Sequence, residues 1–297
     1  MTAGECKLVL TRVDGPVATV TLNRPDRHNS LVPALLRELG DAIARCESRP
    51  DVSVLVLRAA GRSFSTGGDL RGFRDHAGEI SQYAHELVGL LNDAIIRLYD
   101  CRLPVVTVVN GQVCGGAMGF VLASDIVLVT ERASFTPYYV EAGFSPDGGW
   151  TALLPDIIGQ TRARTVQLLN QSINAEQALD WGLATAYAES SSHDEALQEL
   201  CEGVLGKKAG SIVCTRRLLR PGDLESRLEQ ERSRFVDQIV TEEAKAGIRE
   251  WLGDAGRKGQ HVRGASCRGR GWFTPSLSRL PERVAATAGA LPARPDA

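Results

Sequence analysis

No stretch of the 297-residue chain is apolar for long enough to span a bilayer. The opening segment, Met1–Leu10, carries Glu5 and Lys7 and lacks the apolar run of a signal peptide, so a cytoplasmic, membrane-free protein is expected. Charge of one sign is not in excess. With 34 basic and 36 acidic residues and a formal net charge of −2, the chain has no electrostatic footprint for nucleic acid. The seven cysteines (Cys6, Cys46, Cys101, Cys114, Cys201, Cys214, Cys267) are odd in number and never form C-x-x-C. That pattern predicts buried or free thiols rather than a disulfide framework or a zinc site. The five histidines show no H-E-x-x-H or other ligand spacing, so no metal is expected. Nor is there an internal repeat of fixed period.

What is present is ordinary globular composition, 43% hydrophobic and 24% charged, long enough for one large domain or one domain with an appendage. Val17–Leu22 alternates as a half-buried strand does. Val52–Leu57 is nearly all apolar and reads as a strand covered on both faces, Val105–Val109 reads as another buried strand, and Ile126–Val129 as a further strand, with a shorter one near Ser134–Thr136. Between them, helical spacing runs from Pro33 through Leu36, Leu39, Ile43 and Cys46, and again through Tyr83, Leu87, Leu91, Ile95 and Leu98. Gly115-Gly116 opens a short helix to about Ala123. Further helices are expected at 161–169, 175–181, 195–205 and 224–252. The alternation argues for an α/β fold.

Residues 259–297 differ in character, with six arginines against two acids, four prolines and five glycines. Such a segment buries too little apolar area to offset its ordering entropy, so a disordered tail is expected, with a basic interaction arm as the alternative.

Two glycine-bearing loops each follow a buried strand: Phe64-Ser65-Thr66-Gly67-Gly68-Asp69-Leu70 and Asn110-Gly111-Gln112-Val113-Cys114-Gly115-Gly116-Ala117-Met118-Gly119. Glycines there let a backbone approach a ligand with N–H groups free, and at a helix N-terminus the dipole favours negative charge. Either loop alone is common turn chemistry. Neither is a P-loop or a G-x-G-x-x-G fingerprint, and Gly143-Phe144-Ser145-Pro146-Asp147 lacks the final glycine of a nucleophile elbow.

Taken in order, these loops together with Asn23-Arg24-Pro25, His28-Asn29-Ser30-Leu31, Ala123-Ser124-Asp125-Ile126, Gly143–Gly149, Asn174–Ala178 and Trp181-Gly182-Leu183 resemble the crotonase (enoyl-CoA hydratase/isomerase) superfamily over roughly residues 7–258. The resemblance implies a ββα superhelical spiral over 1–200 that carries the CoA site and active site. It also implies a C-terminal helical trimerisation region over 201–258, ahead of the 259–297 tail. The protein would be a homotrimer or hexamer in fatty acid or aromatic acid metabolism, with an acyl-CoA thioester as partner and no cofactor beyond the CoA moiety. The backbone N–H groups of Gly68 and Gly116 would bind the thioester oxygen. Arg27, His28, Asn29, Ser30, Thr66 and Leu70 would lie in the CoA-holding segments. Enolate formation puts negative charge on that oxygen, and fixed donors stabilise it; losing one such donor costs about 3–4 kcal/mol of barrier in other enzymes.

One departure matters. Hydratases of this family use two glutamates, and a gapless reading from Asn110-Gly111 places those positions on Gly119 and Tyr139, neither a carboxylate. Simple hydration by the usual pair is therefore not expected. Asp147 matches the aspartate of dienoyl-CoA isomerases, epoxyphenylacetyl-CoA isomerases and 4-chlorobenzoyl-CoA dehalogenase, and one carboxylate suits a proton shuttle. Its bland alternative is a cap on the following turn. Tyr138 and Tyr139 either line the acyl pocket, Tyr139 donating to substrate, or simply pack beside the strand. Glu141 suits a helix start. The expected activity is isomerisation of a double bond or strained ring, with Asp147 as acid/base. The alternatives are aroyl-CoA hydrolysis or dehalogenation with Asp147 as nucleophile, or non-catalytic acyl-CoA binding.

Overall fold

The structure is a computed structural model and describes residues 7–253; the tail expected at 259–297 lies outside them. Polar–apolar alternation forms a hairpin of β1 (Val9–Asp14) and β2 (Val17–Leu22). Helix α1 (Pro33–Glu47) starts on a proline whose missing N–H is harmless there, and it buries Leu35, Leu36, Leu39, Ile43 and Cys46. Next come β3 (Val54–Ala59), β4 (Ser63–Ser65), α2 (Leu70–Asp75) and the long α3 (Ile80–Asp100). The pattern repeats with β5 (Val105–Val109), β6 (Gln112–Cys114) and α4 (Met118–Leu122), then β7 (Ile126–Val129), β8 (Ser134–Thr136) and α5 (Tyr139–Ala142). Helices α6 (Leu154–Ile158) and α7 (Gln160–Leu168) lead to β9 (Ile173–Asn174), α8 (Ala175–Asp180) and β10 (Ala186–Tyr187). Four helices follow: α9 (His193–Leu205), α10 (Ala209–Leu219), α11 (Leu224–Ile239) and α12 (Glu242–Gly253).

The strands form a six-stranded sheet in the order β1-β2-β3-β5-β7-β10 and a four-stranded sheet in the order β4-β6-β8-β9. Only β1 on β2 and β9 on β8 run antiparallel. Each turn of chain gives one strand to the large sheet, the next to the small one, and then a helix. The central strands are buried on both faces, which explains their unbroken apolar runs. On β3, Leu55 and Leu57 face the main core while Val54 and Val56 face a second cluster under α9 that includes Cys201. On β5, Val105 and Val109 face one side and Val106 and Val108 the other.

Several boundaries differ from the sequence reading. The strand expected from Val52 begins at Val54, because the Val52 N–H closes a turn on the Arg49 carbonyl while those of Ser53 and Val54 reach back to Pro16. Strands β4 and β6 lie in segments that read as loop and turn; at three residues each, they are too short to show a period. The helix expected over 224–252 is two helices. Thr241 Oγ1 accepts from the Ala244 N–H at 3.2 Å and restarts the chain as α12. Helix α10 was not foreseen, and none of its residues is buried. The five cysteines among the described residues are all free, four of them buried. No helix among the described residues is long and apolar enough to cross a membrane.

Asn29 ties the first turn to the second. It is fully buried with φ of 53°, a conformation asparagine tolerates better than most residues. Its Nδ2 donates to the Ala60 and Ser63 carbonyls at 2.8 and 2.9 Å, and its Oδ1 accepts from the Arg24 N–H at 2.7 Å. We predict that Asn29→Ala, which strips three backbone groups of their partner, lowers stability by about 2–4 kcal/mol in urea denaturation.

Candidate active site

Strands β4 and β6 pair in parallel, Ser65 opposite Val113, so the glycine loops that follow leave the small sheet side by side. They touch: a Cβ built on Gly67 would lie 2.8 Å from the Cys114 carbonyl oxygen. The Leu31 N–H donates to the Gly67 carbonyl at 2.8 Å, and the Asp69 N–H donates to the Leu31 carbonyl at 3.0 Å. The Gly68 N–H between them has no protein acceptor among the described residues. The Gly116 N–H, in the first turn of the 115–117 segment, also has none.

A third loop, 143–149, closes on the second. Gly148 has φ of 63°, and a Cβ there would sit 2.5 Å from the Gly116 Cα, so the two backbones are in direct contact. Gly116 must itself be bare: its Cβ position is 2.5 Å from Leu91 Cδ2 and 2.9 Å from Asp147 Oδ1. Trp150 Nε1 donates to the Gly115 carbonyl at 2.8 Å and fixes the contact from the other side. Below these loops runs α3, whose stripe at four-residue spacing presents Leu87 to Gly68, Leu91 to Gly116 and Ile95 to Gly119.

Asp147 is 7% exposed. Tyr139 donates its hydroxyl proton to Asp147 Oδ1 at 2.5 Å and also reaches the Asp147 carbonyl at 3.1 Å. Oδ2 has no partner from another residue among those described. Burial pushes the carboxyl up from its ordinary 3.8 to about 7; the Tyr139 hydrogen bond opposes the shift and the charge of Glu231 adds to it. Burial beside this acid raises the Tyr139 hydroxyl well above its usual range. Asp147 does not cap the following turn; Glu231 does. At the end of β6, Cys114 is enclosed, and burial raises its thiol well above the usual range.

The remaining predicted site residues fall into two groups. Arg27 is exposed and His28 half-buried, with φ of 52°. The side chains of Asn29 and Ser30 are engaged within the protein: Ser30 Oγ accepts from Arg24 Nη1 at 2.7 Å. Thr66 donates its N–H to the His28 carbonyl at 3.1 Å. Asp69 caps α2 through the Arg71 N–H, and Arg24 Nη1 donates to its Oδ2 at 2.8 Å; Leu70 begins that helix. A cavity of about 500 Å³ opens here, lined by Arg24, Arg27, Arg37, Asp69 and Arg71. Tyr138 turns elsewhere. Its hydroxyl accepts from Gln112 Nε2 at 3.3 Å, and its ring meets Trp251 edge-on.

Sequence reasoning did not single out Ile95 or Glu231. Ile95 fills the place of a side chain at 119, with Cδ1 only 2.2 Å from the Cβ position. Among the described residues no group of acids, histidines and cysteines could hold a metal ion.

Two sheets wound as a spiral are the fold of solved enoyl-CoA hydratases. The sequence pattern of the enoyl-CoA hydratase/isomerase family matches residues 12–254, and the chain belongs to that family. It is 28% identical over 230 residues to 1,2-epoxyphenylacetyl-CoA isomerase of Escherichia coli, covering 76% of this chain and 88% of the relative. It is 33% identical over 238 residues to a probable enoyl-CoA hydratase of Mycobacterium tuberculosis, covering 75% and 82%. The crystal structure of enoyl-CoA hydratase from Bacillus halodurans superposes with a TM-score of 0.77 at 25% identity, over 82% of this chain and 100% of that one.

Two predictions follow from the packing and charge of this site. Gly119→Glu should destabilise the fold by about 2–3 kcal/mol, and Ile95→Ala in the same chain should recover about 1 kcal/mol or more, read as coupling in a double-mutant cycle by urea denaturation. Because folding raises the Asp147 carboxyl from 3.8 to about 7, the native state holds its proton over that window. The associated stability is present below pH 4 and is lost as pH rises through 7. Asp147→Asn should therefore gain stability relative to the parent at pH 8 but not at pH 4, measured by thermal melts across pH.

Proposed function

We propose that the protein is a CoA-thioester isomerase in which the Gly68 and Gly116 N–H groups hold the thioester oxygen and Asp147 carries the proton. The single observation behind this reading is one buried carboxyl, Asp147, lying against Gly116 with one oxygen on Tyr139 and a proton affinity near neutrality. A group that titrates at about 7 is populated in both forms at working pH and can both take and return a proton. The ionised carboxyl removes a proton from the carbon beside the thioester. The C–H electron pair moves into a dienolate, whose oxygen charge rests on the two N–H donors. The carboxylic acid then returns the proton to the far carbon, and the double bond has moved.

Hydration by a glutamate pair has no support, since Tyr139 donates to Asp147 and Ile95 occupies the space at Gly119. The segments of Arg27–Ser30 and Thr66–Leu70 hold the CoA, largely through backbone, and in the cavity beside them, where Arg24 and Arg37 pair with Asp69 and Glu86, Arg27 and Arg71 suit its phosphates. The helices after residue 200 supply the assembly surface of a trimer or paired trimer; Leu218 and Leu219 on α10 are 87% and 76% exposed and available to it.

Purified Asp147→Asn should convert 3-enoyl-CoA to 2-enoyl-CoA about 100- to 10,000-fold more slowly than the parent. A folded variant that keeps the parent rate removes Asp147 from the chemistry. Single turnover of an aroyl-CoA in heavy-oxygen water separates the nucleophilic alternative: label found in Asp147 by mass spectrometry would replace isomerisation with hydrolysis.

A further inference from the structure

Only two charged side chains are buried among the described residues, Asp147 at 7% exposure and Glu231 at 5%. The proposed chemistry uses the first and leaves the second unexplained. Glu231 comes from α11, some eighty positions further along the chain, and it reaches the turn directly after Asp147. Its Oε2 accepts from the Gly149 N–H at 2.7 Å. Its Oε1 accepts from the Thr151 N–H at 2.8 Å, the Thr151 hydroxyl at 2.6 Å and the Ala152 N–H at 2.8 Å. All four contacts are donors, the set that an ionised carboxylate satisfies. No cation pairs with it among the described residues. Its neighbour Arg232 turns to Glu229 and packs on Gly89 instead.

A buried charge without a counter-ion is costly, and a neutral residue could pack between α11 and this turn more cheaply. What the charge does to its surroundings is therefore the question. The groups that face Asp147 are few: Tyr139 from α5 donates to it, and Glu231 from α11 acts on it as a like charge. The glycine loop and α3 present Gly116 and Leu91, which carry no charge.

We propose that Glu231 is a positioning residue for Asp147: from the C-terminal helices it pins the 149–152 turn that aims the acid at Gly116. This rests on Asp147 being the acid/base of the proposed isomerase, but the deciding measurement needs no substrate. Infrared difference titration of the full chain reads the Asp147 carboxyl directly, with Asp147→Asn as the blank that assigns its band.

Glu231→Gln removes the charge at constant size and should lower the Asp147 midpoint by about half a pH unit or more. Glu231→Asp keeps the charge but draws it back by one methylene, and should shift the midpoint the same way by less. If the glutamine variant does not fold, the aspartate variant decides. In turnover of 3-enoyl-CoA, Glu231→Gln should lose about 10- to 100-fold in kcat with little change in KM. Its pH–rate profile should move toward acid, and by less in Glu231→Asp, which keeps the charge. An Asp147 midpoint that stays at the parent value in a folded variant overturns the role of Glu231 and leaves the isomerase reading intact. A shifted midpoint without any isomerase turnover supports the role and counts against the isomerase reading alone.

Discussion

The contact between the Gly116 and Gly148 backbones sets the geometry of everything near the acid. A side chain at Gly148 would strike the Gly116 backbone, and one at Gly116 would strike Leu91 and the Asp147 carboxyl, so either would hold the 143–149 loop away from the glycine loop. With both bare, the loop drops far enough to set the Asp147 carboxyl against Gly116, where water is largely excluded and a carboxyl keeps its proton to near-neutral pH. Close backbone packing is thus converted into a higher proton affinity. Protein interiors are dense enough that such a contact has two states, made or unmade, rather than a range of intermediate ones.

Two helices hold that contact from below and behind. Helix α3 sets one apolar side chain per turn under Gly68, Gly116 and Gly119, so the loops share a single floor and cannot shift independently. Helix α11 buries Leu228 and Phe235 in the main core and, from the same face, sends Glu231 into the turn beside Asp147.

Much of the scaffold was legible from residue pattern. The double-sided strands announced themselves as unbroken runs such as Val105–Val109, and α3 as a stripe of Tyr83, Leu87, Leu91, Ile95 and Leu98. The small sheet was not legible, because Ser63–Ser65 and Gln112–Cys114 are three-residue strands with no room for a period. At the site, Asp147 stood out as the one acid near the expected place. Its partner in the turn did not, because Glu231 lies on an amphipathic helix where a glutamate ordinarily faces solvent, and only the fold shows that this one faces inward. The cap weighed as the alternative role of Asp147 is made by Glu231, and capping from a distant helix leaves no local signal. Nor could spacing reveal that Ile95 fills the space beside Gly119, a fact that belongs to packing between α3 and α4.

Cys114 carries a consequence for the reactivity of the molecule itself. A thioester is an acyl donor to any thiolate, and a sulfur lies two residues before Gly116, whose amide would hold the carbonyl oxygen in the proposed reaction. Deprotonated, such a sulfur would take the acyl group onto the polypeptide and end turnover. Enclosure at the end of β6 holds the proton on sulfur, so the cysteine behaves as a small apolar side chain rather than as a nucleophile.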